Sequence, residues 1–580
     1  MNLSTQETPN PSRQISRTAP PPGKYIPYDK RYPFSLPDRK WPNNTISAAP
    51  QWCAVDLRDG NQALPRPMTV AEKIGFFEVL KRVGFKNIEI GYPAANPEEW
   101  EFTRRLIEEK MIPSHVVPQV LTMDRPDLIK KTFDSLKGVD RVILHIYRPT
   151  SIDQRELFFK MTKDQVMQAA VESTRLVRKL AAQASFDVQL QFSPESFTGT
   201  EMPFALDVCD AVVRAWDPGS HEKVIINLPA TVELSRPNVY ADQIEWVGRN
   251  LKRRDQVVIS LHTHNDRGTA VAATELGLLA GADRVEGTLF GNGERTGNVD
   301  LLNLALNLFR EGIDPEIDLS DIPWLVEQYE TFTGMKVPPR HVLGELAFTA
   351  FSGGHQAAIA AGLAYQRTAT DPLWRVPYMS VDPADLDLNY EAVRLNAQSG
   401  KHGAAFCLKE KFGCEVPRAM LADVGRLVKE WCDTHKKEID PQTVWDLFES
   451  NYVKPPGSIA LANYTLRSEA GEKVKAFLEV VINGGRSLTL TGVGNGPIDA
   501  ATNALRDIGL AITVKSFHEH SRGEGSDAEA VAYLHVESEG RTTFGVGIDS
   551  NTESASIRAL IAGVNRLEVL SAGLGSRRGF

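Results

Sequence analysis

Two patterns of apolar and polar residues alternate along the first half of this 580-residue chain. Short runs rich in β-branched and aromatic residues are followed by longer segments in which apolar residues recur every three or four positions. The short runs are typical of buried strands, and the longer segments are typical of amphipathic helices. Eight strands are predicted: Trp52–Leu57, Asn87–Gly91, His115–Leu121, Arg141–Tyr147, Asp187–Phe192, Lys223–Leu228, Val257–His262 and Arg284–Leu289.

The predicted helices lie between these strands. Examples are Val70–Val83, Pro97–Glu109, Lys163–Ala184 and Tyr240–Leu251. Eight strands that alternate with helices over about 250 residues predict an α/β fold, the (β/α)8 TIM barrel, and a doubly wound open sheet is the main alternative. The barrel is favoured because polar side chains follow many of the strands. The carboxyl ends of so many strands converge only when the sheet closes.

The pattern changes on both sides of the barrel, which we assign to residues 51–320. Residues 1–50 are rich in Pro, Ser, Thr and Asn. Of these, residues 1–20 are predicted to be disordered and residues 21–50 to form an extended arm that packs on the barrel. Helical patterns dominate residues 321–457, which we interpret as a helical linker region. Its predicted helices are Pro323–Thr333, Gly344–Gln366, Met420–Glu438 and Pro441–Ser450.

The last segment, residues 458–580, contains an internal repeat. Gly485–Gly494 aligns with Gly540–Asp549 at a period of 55 residues. Each copy has the pattern of a strand, a turn, a strand and a helix, and the two helices are predicted at Ile498–Ile508 and Thr552–Leu570. The repeat predicts a separate α+β domain. It lies too far from the barrel motifs in sequence to be assumed catalytic.

Composition excludes several classes of partner. The net charge of −9, without a long basic tract, argues against nucleic-acid binding. No apolar run is long enough to span a membrane, and no secretory signal is visible at the N-terminus. The five cysteines are scattered and include no CxxC pair. Reduced thiols in the cytoplasm are therefore expected.

The candidate chemistry is concentrated at strand ends. His262 and His264 are two positions apart at the end of the seventh strand, so both imidazoles leave the strand on one side. Two such imidazoles can hold one divalent metal, although an isolated His-x-His is more often structural. Asp59 after the first strand and Asn298 after the eighth supply oxygen ligands for the same ion. Arg58, beside Asp59, supplies a cation that can polarise a carbonyl group.

Three motifs carry a specific resemblance. Leu57–Gln62 reads LRDGNQ, Leu261–Asp266 reads LHTHND, and Gly291–Asn298 reads GNGERTGN. Together, in this order, they resemble the metal-dependent barrel family of acyl-CoA condensing enzymes and lyases. The resemblance covers the chain from about residue 25 to the C-terminus.

The resemblance implies an activity. Acetyl-CoA, as co-substrate, condenses with 3-methyl-2-oxobutanoate, and water then releases CoA, in the first committed step of leucine biosynthesis. The reaction needs one divalent metal; Mg²⁺ is the first expectation, with Mn²⁺ and Zn²⁺ as alternatives. Three other functions stay open: the same chemistry on pyruvate or 2-oxoglutarate, which would make citramalate or homocitrate, the reverse lyase reaction, and a non-catalytic metabolite sensor.

The resemblance also implies roles for individual residues. The metal ligands would be Asp59, His262, His264 and Asn298. Arg58 would steady the developing alkoxide and, with His145 and Thr231, bind the oxo acid. Glu195 and His355 are the candidates for the base that takes a methyl proton from acetyl-CoA, with Tyr378 nearby. From the residues alone, His355 would be a loop residue beside two glycines and Tyr378 a packed aromatic side chain.

Assembly and regulation are implied as well. Members of the family act as homodimers in which linker residues reach the partner's active site. The repeated domain would bind leucine as an inhibitor, in an apolar pocket at Ile498, Val514, Phe517 and Ala530. The alternative is that these four residues belong to an ordinary hydrophobic core.

Overall fold

The computed structural model describes residues 26–218, 223–390, 393–469, 473–523, 525 and 527–575. It divides the chain into two compact units. One contains the residues up to Ala347 together with Ala384–Leu388, and the other contains Phe348–Pro383 and the chain from Asn389 onward. The disorder predicted for residues 1–20 lies outside the described residues, as does the start of the arm. The finer division into four segments stays a prediction.

The first unit is built on a closed barrel of eight parallel strands. Each strand pairs with the next, and the eighth returns to the first, with Cys53 opposite Glu286. The predicted TIM barrel is therefore confirmed, and the open sheet is wrong. The strands are β1 Gln51–Ala54, β2 Asn87–Gly91, β3 Val117–Met123, β4 Arg141–Pro149, β5 Asp187–Glu195, β6 Val224–Ala230, β7 Val257–Thr263 and β8 Arg284–Gly287.

Helices follow the strands, and local sequence sets where many of them begin. Thr69 and Thr162 each open a helix through a capping box, in which side chain and backbone satisfy each other's free groups. Several other helices have a proline in the first turn, where no N–H is needed. The helices of this unit are α1 Tyr28–Arg31, α2 Val70–Val83, α3 Pro97–Glu108, α4 Pro126–Ser135, α5 Lys163–Ala181, α6 Met202–Trp216, α7 Pro237–Asn250, α8 Ala270–Leu279, α9 Leu301–Arg310 and α10 Ile322–Thr333.

The described part of the arm, from residue 26 to residue 50, lies on helix α7. The indole nitrogen of the buried Trp41 donates to Asp242 Oδ1 at 2.7 Å. The backbone nitrogens of Lys40 and Trp41 donate to Glu245. One side of α7 is therefore covered by the arm rather than by solvent.

The second unit begins with four helices. They are α11 Gly353–Thr368, α12 Gly400–Phe412, α13 Leu421–His435 and α14 Pro441–Phe448. The helix predicted from Gly344 is wrong at its start, because Gly344 closes a turn with His341 instead. Helix α12 was not predicted, because its apolar residues form no single stripe. Within the described residues, every helix is too short or too polar to cross a membrane.

Two copies of one motif complete the second unit, which confirms the internal repeat. Each copy is a three-stranded antiparallel sheet followed by a helix. Gly492 and Gly547 are equivalent residues 55 positions apart, and a side chain on either would collide with the backbone of its own copy's helix. The elements are β9 Ile459–Glu469, β10 Lys473–Ile482, β11 Arg486–Gly494 and α15 Pro497–Ala504, then β12 Thr513–Arg522, β13 Glu529–Ser538, β14 Arg541–Asp549 and α16 Thr552–Gly575.

Candidate metal centre and active site

Three of the four predicted metal ligands meet at the carboxyl end of the barrel. Asp59 lies in a π-helical turn that follows β1, His262 is on β7, and His264 follows β7. Their ligand atoms all lie within 4.8 Å of one another. Asp59 Oδ2 is 3.3 Å from His262 Nε2 and 3.9 Å from His264 Nε2.

The buried atoms of this cluster fit a cation. Asp59 Oδ2, His264 Nδ1 and Asn298 Oδ1 are buried and accept no hydrogen bond from the part of the chain that the structure describes. Asn298 is held beside His264 by a backbone bridge. Buried acceptors without donors are costly, and a divalent ion would be a partner for the free oxygens of Asp59 and Asn298. Nitrogen and oxygen donors of this kind suit Mg²⁺, Mn²⁺ or Zn²⁺.

Charges around the cluster favour the forms that a metal needs. Burial opposes ionisation of Asp59, but Arg58 and His262 outweigh it and lower the pKa of this carboxyl. Burial and the neighbouring His262 lower the pKa of His264 to about 4, so its ring is neutral at pH 7. For His262, bonds to Asp59 and Glu286 outweigh burial and raise the pKa to about 9. A metal would therefore compete with a proton on His262.

A cavity of about 250 Å³ opens over the cluster. Every barrel residue predicted for the active site lines this cavity except Asn298. These residues are Arg58, Asp59, His145, Glu195, Thr231, His262 and His264. Burial raises the pKa of Glu195, whose Oε1 accepts from Gln154 Nε2 at 3.4 Å. Thr231 Oγ1 accepts from the backbone nitrogen of Ser196 at 2.9 Å, which joins the loops after β5 and β6.

Arg58 and His145 are held by the same buried carboxylate, Glu89. Arg58 donates through Nε to Glu89 at 2.6 Å and through Nη1 to Asp59 at 2.8 Å. His145 Nδ1 lies 3.2 Å from Glu89, and its Nε2 lies 2.7 Å from Ser193 Oγ. The guanidinium is thus fixed beside the metal ligands, where it can act on an oxygen atom of a bound substrate.

Sequence reasoning missed several residues of the cavity wall. Gln62, Tyr147, Ser193, Asn227, Glu294 and Arg295 line it as well. The missed signal was the period of two along each strand. Tyr147 is two positions after His145, and Ser193 is two positions before Glu195, so each pair shares one face of its strand.

His355 and Tyr378 belong to the second unit, whereas the residues that line the barrel cavity belong to the first. Their rings stack on each other, with centroids 4.0 Å apart. Tyr378 is 67% exposed and has a φ of 63°, so it is not the packed core aromatic that the residues alone favoured. A strained, exposed aromatic residue on an exposed histidine is consistent with a functional contact.

The four residues assigned to the leucine pocket lie in three different environments. Ile498 and Val514 line an open cavity of about 530 Å³ together with Gly496, Asp499 and Thr502. Ala530 is buried in the hydrophobic core beneath the sheets. Phe517 is 41% exposed on β12.

Three family models match the chain in succession. A model described as HMGL-like matches residues 49–328, one described as alpha-isopropylmalate synthase, post-catalytic domain-like, matches residues 345–409, and the LeuA allosteric (dimerisation) domain matches residues 438–568.

Whole-chain relatives agree with these models. The 2-isopropylmalate synthase of Clostridium acetobutylicum is 47% identical over 553 residues, which cover 94% of this chain and 99% of that protein. The 2-isopropylmalate synthase of Rhodospirillum rubrum is 47% identical over 554 residues, with the same coverage of both chains. That of Corynebacterium glutamicum is 44% identical over 568 residues and covers 94% of this chain and 92% of that protein.

Proposed function

The chain belongs to the 2-isopropylmalate synthases, enzymes of leucine biosynthesis that transfer an acyl group, and from this premise we propose how its barrel works. Its substrates are acetyl-CoA and 3-methyl-2-oxobutanoate, and its products are (2S)-2-isopropylmalate and CoA. The observation that carries this proposal is the cluster of Asp59, His262 and His264 in one cavity with Arg58 and Glu195.

Asp59, His262, His264 and Asn298 would hold one divalent ion, with Mg²⁺ as the first candidate. When bound, the ion supplies a Lewis acid for the keto oxygen of the oxo acid. Arg58, fixed by Glu89, stabilises the negative charge that forms on that oxygen. His145 and Thr231, which line the same cavity, orient the oxo acid.

Carbon–carbon bond formation needs a base. Glu195 lines the cavity and takes a proton from the methyl group of acetyl-CoA, and the resulting carbanion attacks the keto carbon of the oxo acid. The alkoxide that forms takes up a proton. Water then adds to the thioester and releases the CoA thiol. His355 is the second candidate for the base, and its stacking partner Tyr378 would assist it.

Assembly and regulation form the second part of the proposal. The match to a dimerisation domain supports a homodimer, and we assign isologous two-fold symmetry to it. The cavity beside Ile498 and Val514 supports a leucine site in the repeated domain. We place the enzyme in the cytoplasm, since all five cysteines are buried and unpaired, as a reducing compartment would leave them.

A thiol-release assay tests the substrate assignment. Purified enzyme with Mg²⁺ and acetyl-CoA is offered 3-methyl-2-oxobutanoate, pyruvate and 2-oxoglutarate in turn. We expect the highest kcat/KM with 3-methyl-2-oxobutanoate, and no release by Asp59→Ala, the control for contaminating thioesterases. A preference for pyruvate or 2-oxoglutarate would make the enzyme a citramalate or homocitrate synthase. Leucine binding without thiol release from any oxo acid would indicate a sensor.

A further inference from the structure

The centre of the barrel, beneath the metal cluster, is charged. TIM-barrel interiors are usually filled by branched apolar side chains. Here Arg284, Glu286 and Glu89 are completely buried, with 0% of each exposed. Buried charges are retained at a cost unless they are paired and hydrogen-bonded. Because these groups lie beneath the candidate metal cluster, we looked to the cluster for the reason that they are kept.

Glu286 is surrounded by donors on every side. Its Oε1 accepts from Arg284 Nη1 at 2.7 Å, Gln191 Nε2 at 2.6 Å and Gln119 Nε2 at 2.9 Å. Its Oε2 accepts from Asn227 Nδ2 at 3.1 Å and lies 3.0 Å from His262 Nδ1. A protonated carboxyl group needs a neighbouring acceptor for its own proton, but the neighbours of Glu286 are all donors. Glu286 is therefore a carboxylate.

This contact fixes the tautomer of His262. A carboxylate only accepts hydrogen bonds, so His262 Nδ1 must carry the proton that it shares with Glu286. Nε2 is then the nitrogen that can give up its proton and offer a lone pair to a metal, and it is Nε2 that faces Asp59 Oδ2. The strand register makes this arrangement unavoidable, because His262 of β7 and Glu286 of β8 are direct partners.

We propose that Glu286, braced by Arg284, is a positioning residue that presents His262 Nε2 to the metal. The inference rests on the metal site of the proposed function and adds to it the group that orients one ligand. It also distinguishes the two histidines, because His264 Nδ1 has no such partner among the described residues. Arg284 balances the charge of Glu286 and so allows a carboxylate to be kept here without solvent.

The substitution Glu286→Gln tests this with little change in shape. A carboxamide has only one accepting atom, its oxygen. The three donors that now meet Oε1, from Arg284, Gln191 and Gln119, keep that oxygen on their side. The amide NH₂ then points at His262 Nδ1, which must accept, and the proton moves to Nε2 on the metal side. Loss of such an orienting carboxylate lowers metal affinity by about 10–100-fold.

The control is Glu245→Gln. Glu245 is another buried carboxylate, on α7, and its partners, which include the backbone nitrogens of Lys40 and Trp41, lie outside the metal cluster. The readout is the binding of Mn²⁺ to chelator-stripped protein, followed as free Mn²⁺ by electron paramagnetic resonance, with unfolding of each metal-free variant measured in parallel. We expect Glu286→Gln to weaken binding about 10–100-fold and Glu245→Gln by less than about threefold.

A second variant keeps the test decisive if Glu286→Gln does not fold. Glu286→Asp keeps the charge beside Arg284 but withdraws the oxygens from His262 by about one bond length, roughly 1.5 Å. It is expected to fold and to bind Mn²⁺ more weakly than the wild type. Wild-type affinity in the folded variants, or an equal loss in Glu286→Gln and Glu245→Gln, would overturn the positioning role alone. A wild-type protein that binds no Mn²⁺ would overturn the metal site itself.

Discussion

At the scale of single residues, Glu195 is the group that we propose as the base. Its buried position raises the pKa of the carboxyl, which makes the carboxylate a stronger base. Glu195→Gln should lower kcat/KM by about 10²–10⁴ and abolish exchange of the acetyl-CoA methyl protons with deuterated solvent. His355→Ala is the comparison. Exchange that survives in Glu195→Gln but is lost in His355→Ala would transfer the role of base to His355.

The same pKa shift predicts a pH profile. A base acts only when ionised, so kcat/KM falls as the pH drops through the pKa of Glu195. Since that pKa is raised above the ordinary value of 4.5, the fall should begin at a higher pH than for an unperturbed glutamate. Glu195→Asp keeps a carboxylate, so its kcat/KM should still fall at low pH. The residual kcat/KM of Glu195→Gln should not show this fall.

Asp56, three positions before a metal ligand, makes a separate prediction about stability. Its Oδ1 accepts from the backbone nitrogen of Leu289, but burial raises the pKa of this carboxyl to about 8, assisted by Asp300. The folded protein then holds a proton that the unfolded chain releases near pH 3.8. Stability from this proton is complete below that pH and is lost as the pH rises through about 8.

The test compares Tm values at pH 6 and pH 9. Asp56→Asn is neutral at both and keeps the bond to Leu289, so its Tm should fall less across this interval than that of the wild type. Each kcal/mol of difference corresponds to about 2–4 °C. The exposed Asp134→Asn is the control and should behave as the wild type does. An equal fall in all three proteins would mean that Asp56 is ionised in the fold.

The residues of the site were predictable where a side chain that can bind a metal follows directly on a predicted strand. Asp59, His262 and His264 are uncommon side chains at the ends of apolar runs, so the sequence marks them. Ser193 and Asn227 were not predictable in this way, because small polar residues inside strands carry no signal until the barrel closes around them. The bond between His262 and Glu286 depends on strand register, which periodicity alone does not specify.

At the scale of elements, strands buried on both faces were the easiest to predict. Their β-branched runs place β2 at the predicted residues, Asn87–Gly91. The first strand ends earlier than predicted because the chain enters a π-helical turn at Asp56. Strands β9 and β12 were missed. The residues of β12 are mostly exposed and polar, so the strand shows little of the apolar pattern on which the prediction rests.

The arm on α7 offers a test of packing between elements. Trp41→Phe preserves the ring but leaves Asp242 Oδ1, a buried acceptor, without its indole donor. We expect a loss of about 1–3 kcal/mol in the free energy of unfolding, with turnover retained. Asp242→Asn keeps an acceptor for Trp41 and should cost less, because its ion pair with Arg39, whose side chain is 41% exposed, is partly screened by solvent. Equal stability of Trp41→Phe and wild type would show that the arm does not hold α7.

At the scale of the whole molecule, the residues proposed for catalysis belong to two compact units. The metal cluster belongs to the first unit, and the pair of His355 and Tyr378 belongs to the second. If His355 acts on the partner's barrel, a heterodimer of an Asp59→Ala chain and a His355→Ala chain has one intact site. Purified through two different affinity tags, it should show about half of wild-type activity. Action within one chain leaves both sites broken, and the heterodimer would then be as inactive as either parent homodimer.

The proposed regulation also involves the whole chain, because the repeated domain belongs to a different unit from the metal cluster. Leucine can inhibit from there only if it binds two global states unequally, with a coupling of about 1–3 kcal/mol. Ile498 and Val514 line the cavity, and we propose the exposed ring of Phe517, also on β12, as a further apolar contact for the isobutyl group. Phe517→Ala should raise the leucine concentration for half-inhibition by about tenfold, which corresponds to about 1.4 kcal/mol. Uninhibited turnover should stay nearly unchanged.

The exposed Val569→Ala, on helix α16 of the same domain, is the matched control and should be inhibited as the wild type is. The kinetic pattern adds a second criterion. Leucine bound at a distance changes kcat or cooperativity, because it alters the balance of states without occupying the barrel cavity. Leucine bound in the barrel would instead compete with 3-methyl-2-oxobutanoate. Inhibition that is competitive with the oxo acid, and equally strong in Phe517→Ala, would place the leucine site in the barrel and leave the repeated domain with dimerisation alone.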